Sequence, residues 1–252
     1  MAPLKEKLEK EGSWLFKWRG YLPLLGIFPF FVAFKNFDYP NHSHQLDQIW
    51  DLSCLAISFV GLGIRFFTSG TVPKGTSGGN TKRQKARALN TTGMYSIVRN
   101  PLYLGNFIIG VGISLFFRLW WFTLIFVLVF WLYYERIIFS EEEFLRKKFG
   151  HTYLEWAYET PAFIPRLKNW KPPALPFSFR AAVKREYHTF FSIIATFTFL
   201  EIVGDFFVEG RMEFDLLWMT MFSLGLLAYI VIRIIRKNTK ILKLERKEGK
   251  LF

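Results

Sequence analysis

Cysteine, histidine and acidic residues are scarce in this chain, and each shortage narrows what it can do. The one cysteine, Cys54, excludes an internal disulfide, and it lies in an apolar run where packing is its ordinary role. Four histidines occur. His42 and His44 stand at i, i+2, but Asp47 is the only close carboxylate and no further histidine is near, so no metal site is expected there. His151 and His188 suit interfacial positions. No GxGxxG is present, because Gly61-Leu62-Gly63 and Gly110-Val111-Gly112 both lack the third glycine. A soluble Rossmann-type methyltransferase is therefore not expected. The Gly-rich segment 69–90 contains no GxxxxGK[ST], which removes a P-loop. The N-terminal twenty residues are charged and amphipathic, without a small-residue cleavage site, and do not read as a removable leader.

Apolar and aromatic residues are abundant instead. Of 252 residues, 51% are hydrophobic, 19% are aromatic and 30 are phenylalanine, which is too apolar for an ordinary soluble domain of this length. The expected class is all-α: a polytopic membrane protein with about six transmembrane helices. The runs are 21–34, kinked at Pro23 and Pro29, then 49–68, 101–117, 120–134, 188–208 and 214–235. Only Arg118 and Leu119 separate the third run from the fourth, which predicts a tight helical hairpin. A net charge of +13 in a soluble protein would suggest nucleic acid. Here the basic residues lie between the runs and report topology, with no nucleic-acid partner expected. If the N-terminus is cytoplasmic, only Lys35, Arg118 and Arg211 of the 33 Lys and Arg residues lie outside. That asymmetry predicts two cytoplasmic termini in a membrane such as a bacterial inner membrane.

Residues 91–105, TTGMYSIVRNPLYLG, organise the rest. They join a basic loop, with Lys82, Arg83, Lys85 and Arg87, to the third run. Pro101 suits the first turn of a helix, and Asn100 then falls at or beside the N-cap. Polar groups at the bilayer boundary are costly unless something there requires them. Gly105 and Gly112 share a helix face, which lets a neighbouring helix or a flat ligand approach the backbone closely. Gly61 and Arg65 are an i, i+4 pair. Arg65 either snorkels to the interface or faces a site and holds an anionic group. Beyond residue 134, Phe144/Leu145, Phe149, Tyr153 and Trp156/Ala157 recur at helical spacing and predict an amphipathic helix on the membrane surface. The hairpin returns this segment to the end of the bundle that holds 91–105. On an unbroken helix Arg136 shares its face with Ser140 and Glu143, and Glu135 shares one with Glu142.

Taken in order, GMYSIVRNPLYLG, a short helical hairpin, ER, EEEFLRKKFGHTYLEW and FIP resemble the core of the isoprenylcysteine carboxyl methyltransferase and phospholipid methyltransferase family. The resemblance covers residues 61–165. It implies an integral membrane enzyme that uses S-adenosylmethionine from a cytoplasmic pocket and admits a lipid or lipidated acceptor laterally. Tyr95, Arg99, Asn100, Pro101, Tyr103 and Gly105 match the family's cofactor motif; the eukaryotic carboxyl methyltransferases have histidine in place of Asn100. Arg136, Glu141 and Glu142 match its catalytic end. The chemistry suits these residue types. A carboxylate or phosphate acceptor needs a cation such as Arg136 or Arg65, whereas an amine must lose a proton to a carboxylate such as Glu141 or Glu142. The expected division is an N-terminal part, 1–60, a methyltransferase core, 61–168, and a C-terminal part, 169–252, with two further spans. A sterol-reductase-like enzyme using NADPH and a non-catalytic membrane protein are the alternative readings.

Overall fold

The computed structural model describes residues 3–18, 32–35, 37, 44–73, 76, 86–212 and 214–238. Its helices are α1 (Leu4–Trp18), α2 (His44–Thr71), α3 (Met94–Ile97), α4 (Pro101–Leu115), α5 (Trp120–Phe149), α6 (His151–Glu159), α7 (Phe179–Glu209) and α8 (Leu216–Asn238). No strand occurs among the described residues. Helices α2, α5, α7 and α8 are long and apolar enough to cross a membrane, and α4 is a shorter apolar helix. The protein is an all-helical integral membrane protein. The first expected span, 21–34, lies almost wholly outside the described residues, as does His42.

The crossing of α2 and α4 is written in small residues. A Cβ on Gly61 of α2 would lie 2.6 Å from the Gly105 carbonyl oxygen and 2.8 Å from the Ile109 nitrogen, so α2 and α4 touch backbone to backbone. Ser58 donates to the Ile109 carbonyl at 3.0 Å beside this crossing. Aromatic residues fill the other end of the bundle, where Phe34, Phe37, Phe116, Phe117, Phe122, Phe197 and Trp218 form one buried cluster. The hairpin expected at Arg118 is present, and Arg118 itself adopts φ +58 in the turn. Its guanidinium pairs with Asp47 and, at 3.2 Å, with Asp51, both fully buried on α2. Glu201 and Asp205 of α7 are also buried. Carboxylate oxygens of Asp47, Asp51 and Glu201 lie within 4.8 Å of one another. This grouping has the spacing of a cation site, but Arg118 already neutralises two of its members.

Two boundaries differ from expectation. Hydropathy ends the fourth run at residue 134, yet α5 continues without a break to Phe149. The expected surface helix is therefore split: its first part is the end of α5, and only His151–Glu159 forms a separate helix. Gly150 makes the break at φ 55, ψ −125, a conformation that L side chains rarely adopt. The charged end of α5 is stable because α1 runs antiparallel along it. Glu11 accepts from Arg136 Nε at 3.2 Å, the Ser13 and Ser140 hydroxyls meet at 3.0 Å, and Lys5 lies 3.1 Å from Glu143.

Candidate functional site

At the end of the bundle where α4 begins, residues 92–99 are held by a returning strap rather than by a helix. Residues 161–174 cross this stretch. Arg99 N donates to the Pro161 oxygen at 2.9 Å, Arg166 N to the Ile97 oxygen at 2.9 Å, and Gly93 N to the Lys171 oxygen at 2.9 Å. Lys171 N donates to Ser96 Oγ at 2.9 Å and Ala174 N to Thr92 Oγ1 at 3.1 Å. These bonds satisfy backbone groups in and around the single turn of α3 that would otherwise stay open. They also fix the direction in which Tyr95, Arg99 and Asn100 project.

Acidic residues of α5 meet this stretch. Arg99 Nε lies 3.1 Å from Glu142 Oε1, and Arg99 Nη1 donates to the Ala157 oxygen at 2.8 Å. One turn into α4, the Tyr103 hydroxyl donates to Glu141 Oε1 at 2.9 Å. The Tyr103 ring packs on Tyr134 with centroids 4.7 Å apart. Burial pushes the Tyr95 phenol above the ordinary tyrosine range, the nearby Glu141 adds to this, and Arg185 opposes it. Tyr153 on α6 is raised in the same way, first by burial and then by Glu142. A cavity of about 190 Å³ opens beside Arg99, Glu142, Tyr153 and Ala157. Two acids therefore serve two neighbouring places: Glu142 faces Arg99 and Tyr153, and Glu141 faces Tyr103 and Tyr95.

Other residues singled out from the sequence take different positions. Asn100 stands at the N-cap of α4 but makes no capping bond; its Nδ2 donates instead to the Ala162 oxygen at 3.0 Å, tying α4 to the strap. Pro101 is the first residue of α4. Gly105 belongs to the helix crossing, where an added Cβ would meet Arg65 Cγ at 2.5 Å. Arg136 is turned away from Glu141 and Glu142 toward α1, which resolves the geometry of these three residues: α5 is unbroken and they face different partners. Arg65 does not snorkel. Its Nε donates to Glu186 Oε2 at 2.8 Å and its Nη1 to Asn106 Oδ1 at 2.6 Å.

Sequence reasoning missed Arg185 and Glu186. Glu186 also accepts from Ser69 Oγ at 2.6 Å, while Arg185 Nη1 donates to the Ser69 oxygen at 2.6 Å. Both residues lie on α7, just before the apolar run assigned from residue 188. The available signal was the Lys184-Arg185-Glu186 cluster next to a span, which reads equally well as an interfacial anchor. Tyr153 was read as a helix-face residue and as part of the EEEFLRKKFGHTYLEW motif, without a role of its own.

Residues 54–152 match the family described as phospholipid methyltransferase. That segment of the chain is similar to the phospholipid methyltransferase family. Over 113 residues the chain is 34% identical to a protein-S-isoprenylcysteine O-methyltransferase of Schizosaccharomyces pombe, covering 44% of this chain and 48% of that protein. It is 33% identical over 122 residues to the nickel-cobalt-cadmium resistance protein NccN of Alcaligenes xylosoxydans xylosoxydans, covering 48% and 57%. It is 28% identical over 123 residues to protein-S-isoprenylcysteine O-methyltransferase B of Arabidopsis thaliana, covering 48% and 62%. The chain thus spans about half the length of the curated relatives it matches. No solved structure matches it. The matched segment contains Arg65, Tyr95–Gly105 and Arg136–Glu142, whereas α1 and the Arg185–Glu186 pair lie outside it.

Proposed function

We propose that this protein transfers a methyl group from S-adenosylmethionine to a membrane-embedded lipid or lipidated acceptor bearing a carboxylate, phosphate or amine. The observation that carries the reading is the pairing of Arg99 with Glu142 beside a cavity at the strap-held end of the family core. The donor set fits the cofactor's amino-acid end. Arg99 is the partner for a carboxylate, and Glu142 for an ammonium group. At about 190 Å³ the cavity is smaller than the roughly 300 Å³ at which whole-ligand pockets begin, so it is assigned to that end alone.

When bound, S-adenosylmethionine supplies a methyl group on a sulfonium, which departs by in-line displacement. The chain's residues align the reactants and exclude water. Tyr103 holds Glu141 in place through its hydroxyl. With an amine acceptor Glu141 takes the proton; with a carboxylate or phosphate acceptor it has no proton to take, and its part is alignment. Asn100 keeps the start of α4 on the strap. Arg136 meets an anionic acceptor only by exchanging Glu11 for it. Arg65 is neutralised by Glu186, and its part is to position Asn106 and α7. The charge asymmetry of the loops supports an orientation with this end in the cytoplasm and a location in a bacterial inner membrane.

Membranes containing the protein are incubated with methyl-labelled cofactor, and the labelled lipid fraction is identified. Label in a lipid or lipidated product, lost in Glu142→Ala, supports the reading. Absence of label together with NADPH binding would move the chain to the reductase class.

A further inference from the structure

A second cleft does not belong to the site above. It lies between the ends of α7 and α8, has a volume of about 450 Å³, and is lined by Tyr187, His188, Tyr229, Arg233, Arg236 and Lys237. Its floor is aromatic. The rings of Tyr187 and His188 are 3.9 Å apart, and Tyr229 stacks on Tyr187 at 5.3 Å. Its rim is cationic and already aimed. Arg236 Nη1 donates to the Tyr187 hydroxyl at 3.0 Å with its guanidinium over that ring, and Arg233 Nη1 reaches the Tyr229 hydroxyl at 3.4 Å. Among the described residues no carboxylate lines the cleft.

Three cations within two turns repel one another, and the C-terminal dipole of α8 offsets only part of that repulsion. The guanidinium groups are also held against tyrosines, leaving donor positions directed over a volume within the usual range for a ligand group. The position of the cleft indicates the kind of ligand. Helices α7 and α8 are both long enough to cross a membrane, so this end meets the headgroup layer, where tyrosine and arginine are favoured. On the adjoining face of α8, Leu227, Ile230 and Ile234 form an exposed apolar track that leads to Lys237. A phosphate over the arginines would thus have its acyl chains beside an apolar helix face.

We propose that this cleft binds the phosphate of an anionic membrane lipid, as a site separate from the methyl-transfer site. The adjacent residues of α7 divide the two: Glu186 turns to Arg65, and Tyr187 to the cleft. Occupancy does not depend on the methyltransferase reading, and the test uses no cofactor.

The full chain in detergent is titrated with phosphatidylglycerol, with phosphatidylcholine of the same acyl chains, and with inorganic phosphate, and bound species are counted by native mass spectrometry. Phosphatidylglycerol is expected to bind in preference to both others. The double variant Arg233→Gln/Arg236→Gln should weaken it by about thirtyfold, the scale expected for two basic residues at a headgroup surface. Arg236→Lys retains most of the binding, and Lys147→Gln, which alters a basic residue elsewhere, retains all of it. Because Arg233 and Arg236 are exposed, the double variant should keep the wild-type circular dichroism. Equal phosphatidylglycerol binding by wild type and double variant overturns the proposal. Preference for phosphatidylcholine overturns it, and so does binding of inorganic phosphate as tight as that of the lipid.

Discussion

Removing either partner of the Arg65–Glu186 pair should cost far more than removing both. Arg65 and Glu186 side chains are 16% and 4% exposed, and their 2.8 Å contact lies between α2 and α7. Glu186 also accepts from Ser69 at 2.6 Å and from Thr189 at 3.1 Å. Glu186→Ala leaves the Arg65 charge with the Asn106 amide oxygen alone and strips the acceptor from two hydroxyls. Breaking a buried pair in this way costs about 3–5 kcal/mol. Arg65→Ala leaves Glu186 supported by hydroxyls, and a loss of similar size is expected. The double replacement Arg65→Met/Glu186→Leu leaves no buried charge and should fall within about 2 kcal/mol of wild type. The assay is equilibrium unfolding in mixed micelles followed by circular dichroism, closed as a double-mutant cycle. A loss below about 1 kcal/mol for Glu186→Ala would refute the pairing as a buried interaction. So would single losses that simply add in the double variant.

Two further outcomes follow from the packing. Gly61→Ala drives a methyl group into the α4 backbone and should lower stability by about 1–3 kcal/mol. Gly63→Ala, where nothing lies within 4 Å of an added Cβ, should be neutral or stabilise by up to about 1 kcal/mol. Equal losses in thermal unfolding at both positions would contradict the crossing. At the other end of the bundle, Arg118→Ala removes the cation between Asp47 and Asp51 and should cost about 3–5 kcal/mol. Glu201→Gln keeps the size of the side chain within a crowded acidic group and should cost much less; the reverse order, read by the same unfolding assay, would contradict this account.

Much of the site's framework could be read from residue order because it depends on local rules. Pro101 fixed the start of α4, and the two residues between the third and fourth runs fixed the hairpin. That hairpin alone brings Arg99 opposite Glu142. The helical period also placed Arg136 with Ser140 and Glu143, and these three residues do face α1 together. Features set by partners distant in the chain were not readable. Hydropathy ended the fourth span at residue 134 because it registers lipid and not a second helix; α5 continues because α1 supplies Glu11, Ser13 and Lys5 to its polar face. Arg185 and Glu186 were overlooked for the same reason. Their partners Ser69 and Arg65 lie more than a hundred residues earlier, so nothing local distinguishes them from interfacial anchors.

The central claim is that Arg99 and Glu142 form a cofactor site, and calorimetric titration of the purified full chain with S-adenosylmethionine tests it most directly. Saturable binding by wild type, abolished in Arg99→Ala and in Glu142→Ala but retained in Arg65→Met/Glu186→Leu, is the expected result. No binding by wild type, or binding that survives both single substitutions, would contradict it.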